Sequence, residues 1–110
     1  MDEYELAAKK ILRAKGFLKV RERSRGCDFD GEREGTQYLI EVKGGSQSEV
    51  FPLPGPKWSQ IRELRQAIGA GKKALLVFIN AKYFEFAIFQ MVESGAIKEK
   101  EAIQALLGGR

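Results

Sequence analysis

Histidine is absent from all 110 residues, which excludes imidazole acid–base catalysis and histidine metal ligands. The single cysteine, Cys27, excludes an internal disulfide, and a structural zinc site would need several further ligands. No apolar run approaches the roughly 18 residues of a membrane-spanning helix. The opening stretch MDEYELAAKK is acidic and amphipathic, without the basic-then-apolar order of a secretory signal. These absences make a cytoplasmic protein with no membrane partner the expectation. Prolines are few, and all three fall within residues 52–56, so the rest of the chain is free to form regular structure.

What is present is an ordinary balance of 44% hydrophobic and 31% charged residues, which fits one globular domain spanning 1–110. The net charge of +4 is unevenly spread. Lys9, Lys10, Arg13, Lys15, Lys19, Arg21, Arg23 and Arg25 stand against the single acid Glu22 in residues 9–25. Such density marks a polyanion-binding surface, with a merely solvated charged face as the plainer alternative.

Hydrophobic periodicity sets the element order. Tyr4, Ala7, Ala8, Ile11, Leu12 and Ala14 share one helical face over 2–15, closed by Gly16. Residues 17–24 read as a strand in which Phe17, Lys19, Arg21 and Arg23 alternate with Leu18, Val20, Glu22 and Ser24. Two β-like runs flank the turn signal GEREG, so 27–43 reads as a hairpin. An irregular loop is expected over 44–56. Trp58, Ile61, Leu64, Ala67 and Ile68 then make a second helical stripe. ALLVFIN (74–80) reads as a strand buried on both faces, 83–91 as a further strand, and 98–107 as a closing helix. The order αβββαββα predicts an α/β or α+β domain, a mixed sheet flanked by helices.

The chemistry is concentrated in the hairpin. Glu41 and Lys43 are two residues apart and project from one face of a strand, while Ile40 and Val42 project from the other. Pairing across GEREG brings Asp28 or Asp30 near Glu41. Two carboxylates so placed repel unless a cation lies between them. Hard oxygen donors of this kind suit Mg²⁺, with Mn²⁺ as a substitute. Asp30, beside Gly31, fits a turn role better. A plain ion pair on a wet sheet face is the bland account of Glu41 and Lys43. By the same reasoning Cys27 is a small buried side chain and Trp58 a core residue.

Gly26-Cys27-Asp28-Phe29 followed by Tyr38-Leu39-Ile40-Glu41-Val42-Lys43-Gly44 resembles the signature of the PD-(D/E)xK nuclease superfamily. The layout of roughly the first 80 residues is most similar to archaeal Holliday-junction resolvases and related restriction-endonuclease-like domains. No proline precedes Asp28, a departure from the motif's name. The resemblance implies a metal-dependent DNA endonuclease, acting as a homodimer, with branched or junction DNA as the leading substrate. It implies that Asp28, Glu41 and the Val42 backbone carbonyl hold Mg²⁺ and that Lys43 orients the attacking water. It also implies a contribution from an acid on the first helix, Glu5 or Glu3, with Glu5 the better match. Arg21, Arg23 and Arg25 would grip the DNA backbone, and Gln60 is a further candidate contact. The alternative is a DNA-binding module or protein–protein adaptor with this fold and no turnover.

Overall fold

The computed structural model describes residues 1–46, 53 and 55–91. They form α1 (Glu3–Ala14), β1 (Leu18–Glu22), β2 (Phe29–Arg33), β3 (Thr36–Gly45), α2 (Trp58–Gly69), β4 (Lys73–Asn80) and β5 (Glu85–Met91). The result is a mixed α+β fold: one five-stranded sheet in the order β1-β2-β3-β4-β5, with a helix on each face. All neighbouring strands are antiparallel except β3 and β4, which run parallel and are connected through α2. The 98–107 helix expected from periodicity lies outside the described residues.

Side-chain alternation explains the two layers. Tyr38, Ile40 and Val42 of β3 join Leu75, Val77 and Ile79 of β4 beneath Ala8 and Leu12 of α1. The opposite parity, Leu39 with Ala74, Leu76 and Phe78, meets Leu64 and Ala67 of α2. β4 is buried along almost its whole length because both helices cover it, as the unbroken run ALLVFIN requires. Burying side chains such as Leu12, Ile40 and Leu64 contributes about 1.5–3 kcal/mol each.

Local signals set the element ends. Asp2 caps α1, its Oδ1 accepting the Glu5 N–H at 2.8 Å, and Glu3 and Glu5 in the first turn suit the helix dipole. The β2–β3 turn is tighter than the five-residue GEREG signal suggests. β2 runs through Arg33, and Glu34 (φ 51) and Gly35 (φ 80) alone make the reversal. Two positive φ values in a two-residue loop define the hairpin turn whose twist matches that of the strands. β3 also continues through Gly45, so the expected loop begins later than residue 44.

Two expectations are corrected. β1 does not alternate strictly: Phe17 and Val20 are both buried, three residues apart. A bulge between Leu18 and Arg21, with Lys19 at φ 53, inserts one extra residue against β2 and shifts the parity. Trp58 is not a core residue but 70% exposed. It is the first residue of α2, a turn ahead of the segment that packs on the sheet, and the Arg65 guanidinium lies 5.9 Å from its ring centre. Leu53, set against Gly45, closes that end of the core instead.

Candidate active site

β2 and β3 pair only as far as Phe29 opposite Ile40. Beyond that point β3 runs on through Glu41–Gly45 with β4 as its one strand neighbour among the described residues, and its other edge faces the turn that carries Asp28. The Asp28 carboxylate takes the place of the missing strand: its Oδ2 accepts the Val42 N–H at 2.8 Å. In a strand the N–H and C=O of one residue face the same edge. The Val42 carbonyl therefore faces the same opening as Asp28.

Glu41 sits on the α2 side of this edge and is 2% exposed. Its Oε2 lies 3.6 Å from Lys43 Nζ, while among the described residues no N–H or O–H donor reaches the buried Oε1. An unpartnered carboxylate oxygen at such depth is costly. Burial first, and the Asp28 charge second, push the Glu41 carboxyl up to about 7, against the opposing pull of Lys43. From the opposite layer, Glu5 reaches Asp28. Its carboxyl is held above the usual range by partial burial, then by Asp28 and Asp2.

Glu5 reaches this point because α1 sits close to β3 where Gly44 offers no side chain. A Cβ at position 44 would run into the Tyr4 ring. The glycine after Lys43 thus lets the start of α1 lie against the end of β3, one residue from Glu5.

The turn bearing Asp28 is held by a residue that sequence reasoning missed. Glu63 of α2 accepts the Cys27 N–H at Oε1 (2.8 Å) and Arg23 Nη2 at Oε2 (2.7 Å). Arg23 Nη1 also donates to Asp30 Oδ1 at 3.1 Å, and the Arg23 N–H donates to the Asp28 carbonyl at 3.0 Å. Burial alone would raise the Glu63 pKa; the Cys27 and Arg23 contacts outweigh it and lower it. Gly26, at φ +78, lies so near Glu63 that a Cβ would collide with its carboxylate. Nothing in the spacing of Glu63 along α2 separates it from its charged neighbours Arg62 and Arg65. Its role appears only when α2 packs beside the turn.

The structure therefore brings Asp28, Glu41, Lys43, Glu5 and the Val42 backbone together. Glu3 is exposed, whereas Glu5 is partly covered and faces Asp28. Arg21 and Arg25 are exposed, but Arg23 is engaged by Glu63 and Asp30. Asp30 is an ion-pair partner of Arg23 rather than a partner of Glu41. The Gln60 side chain accepts the Lys57 N–H at 2.9 Å, closing the first turn of α2. Cys27 is buried, its Sγ donating to the Gln60 carbonyl at 3.8 Å, and burial raises its thiol pKa, so it is no nucleophile.

Among the described residues no group of three or more histidine, cysteine, aspartate or glutamate side chains is disposed to hold a metal ion by itself. The donor set on offer is smaller: two carboxylates and an edge carbonyl, one carboxylate oxygen of which is buried and reached by no donor among the described residues. One or two carboxylates plus waters is what Mg²⁺ ordinarily uses. The residues fit such an ion. No protein-family model matches the sequence, and no curated protein matches it.

Proposed function

We propose that the chain is a metal-dependent DNA endonuclease of the PD-(D/E)xK type, with a restriction-endonuclease-like fold, that hydrolyses phosphodiester bonds. The observation that carries this reading is the convergence of Asp28, Glu41 and Lys43 at the β2–β3 divergence, with the buried Glu41 Oε1 unpaired among the described residues. An isolated surface ion pair would leave neither an unpartnered buried oxygen nor a second carboxylate beside it.

Asp28, Glu41 and the Val42 carbonyl are the residues that would hold Mg²⁺ or Mn²⁺. Such an ion supplies Lewis-acid charge at the phosphate and acidifies nearby water. Asp28 is fixed by the Val42 N–H and by the Glu63 clamp on the preceding residue, so its carboxylate keeps one direction. Glu41 is fixed by strand geometry and burial. Lys43, on the same face two residues on, presents an ammonium that neutralises a phosphate oxygen and orients the attacking water. Glu5 borders the site and accepts a proton or water hydrogen bond at its outer edge. Arg21 and Arg25 add backbone attraction that carries no sequence information. Branched or junction DNA cut by a homodimer is the leading form of this proposal.

The test is a cleavage panel of linear duplex, single-stranded and four-way-junction DNA with Mg²⁺ and Mn²⁺. Cleavage of at least one substrate by wild type, and its loss in Lys43→Ala with DNA binding retained, is expected. If every substrate stays intact with either ion, the enzyme reading falls, and a binding module without turnover takes its place.

A further inference from the structure

Outside the acidic crevice, the β1–β2 edge carries two open grooves. Lys19, Arg21, Gln37 and Lys72 line the first, together with Asp30. Arg23, Arg25 and Glu22 line the second, again with Asp30. Because Asp30 borders both, the two form one track. Arg23, which lines the second groove, donates to Asp30 through Nη1 and to the Asp28 carbonyl through its backbone N–H, so the track runs up to the turn that carries Asp28.

Its charge is strongly positive. Five cations face two acids; Arg23 is already bound to Asp30 at 3.1 Å and to Glu63 at 2.7 Å, while Lys19, Arg21, Arg25 and Lys72 are all exposed. Lys19 also approaches Glu32, at 3.6 Å, but that lysine is 65% exposed, and an exposed pair of this kind contributes little and yields readily to a competing anion.

The bulge in β1 gives the track its shape. Phe17 is buried, so a regular strand would point Lys19 and Arg21 to that same buried side. The extra residue turns both over to the open face, while Val20 takes the next core position. Lys19 does this at φ 53, a conformation unfavourable for a residue with a long side chain. Lys72 arrives from a different element, the turn between α2 and β4, and meets them across the groove.

We propose that Lys19, Arg21 and Lys72 form a second phosphodiester-backbone site, which holds the DNA arm flanking the cleaved bond. The nuclease reading supplies the identity of the polyanion. Binding in chelator, where no cleavage occurs, separates a failure of this site from a failure of catalysis.

The experiment is fluorescence anisotropy of the full chain with a labelled four-way junction in EDTA, across roughly 50–200 mM salt. The test protein is Lys19→Asn/Lys72→Ala, in which asparagine tolerates the positive φ and leaves the bulge intact. The control is Arg62→Ala/Arg65→Ala on α2, which removes the same charge outside the track. Removing two phosphate contacts lowers the slope of log K against log salt by about 1.8. The expected result is that fall in the test protein and an unaltered slope in the control. An unchanged slope in the test protein overturns the proposal, as does an equal fall in both, which means diffuse attraction. Circular dichroism confirms that each double variant is folded, and Lys72→Glu alone, in an exposed turn, must weaken binding further than Lys72→Ala.

Discussion

The two halves of β3 are built from the same strand and do opposite things. Tyr38–Ile40 is flanked by β2 on one side and β4 on the other, and its side chains fill both cores. Glu41–Gly45 has β4 as its one strand neighbour among the described residues, a buried carboxylate where a hydrophobe would pack, and a glycine where a side chain would fit only if α1 withdrew. The first half stabilises the domain. The second half gives up stability for a charged, open-edged site, the pattern expected where function and packing compete.

Substitutions three residues apart break this comparison most sharply. Lys43→Ala should lower cleavage by about 10²–10⁴-fold with little change in melting temperature, as befits a group acting through its charge at the reacting phosphate. Ile40→Ala should do the reverse. It removes a fully buried side chain and costs about 2–5 kcal/mol in denaturant unfolding, while the folded fraction cleaves normally. If Ile40→Ala lost activity without losing stability, the division of the strand would be wrong.

Much of the division is visible in the sequence. The alternation of Ile40 and Val42 with Glu41 and Lys43, the GEREG reversal and the unbroken ALLVFIN run give the hairpin and the central strand directly. The β1 bulge is not visible, because Phe17-Leu18-Lys19-Val20 also reads as a regular strand. Only the need to bury both Phe17 and Val20 against Gly31 of β2 and Ile40 of β3 reveals it. Glu63 is equally hidden: one glutamate on a charged helix carries no sign that a turn 36 residues earlier depends on it. Trp58 misleads for the opposite reason, since helical spacing gives a direction but not how far the sheet extends beneath it.

A smaller effect comes from that clamp. Glu63→Gln keeps the shape but weakens the hold on Arg23 and leaves the Gly26–Asp28 turn less restrained. A loss of about 1–3 kcal/mol is expected by chemical denaturation, the scale for charged hydrogen bonds. Faster amide exchange at Cys27 and Val42 should accompany it, with reduced cleavage.

The smallest effect is a pH dependence that separates the two halves without altering packing. The Glu41 carboxyl is raised from 4.5 when unfolded to about 7 when folded, so the fold favours its protonated form. In metal-free protein the stability tied to this group is fully present below pH 4.5 and is lost as pH rises through about 7. Glu5 shifts in the same direction. Thermal melts of Glu41→Gln should lose this part of the pH dependence. Added Mg²⁺ should raise the wild-type melting temperature above pH 7 and have little effect near pH 5, because it favours the ionised carboxylates.

Calorimetric titration of the metal-free protein with Mn²⁺ at a pH above 7 tests the shared cation most directly. The geometry predicts saturable binding of about one ion per chain, abolished in both Asp28→Asn and Glu41→Gln and retained in Lys43→Ala. Binding that survives Glu41→Gln unchanged, or no binding by wild type, would contradict a cation held between strands β2 and β3.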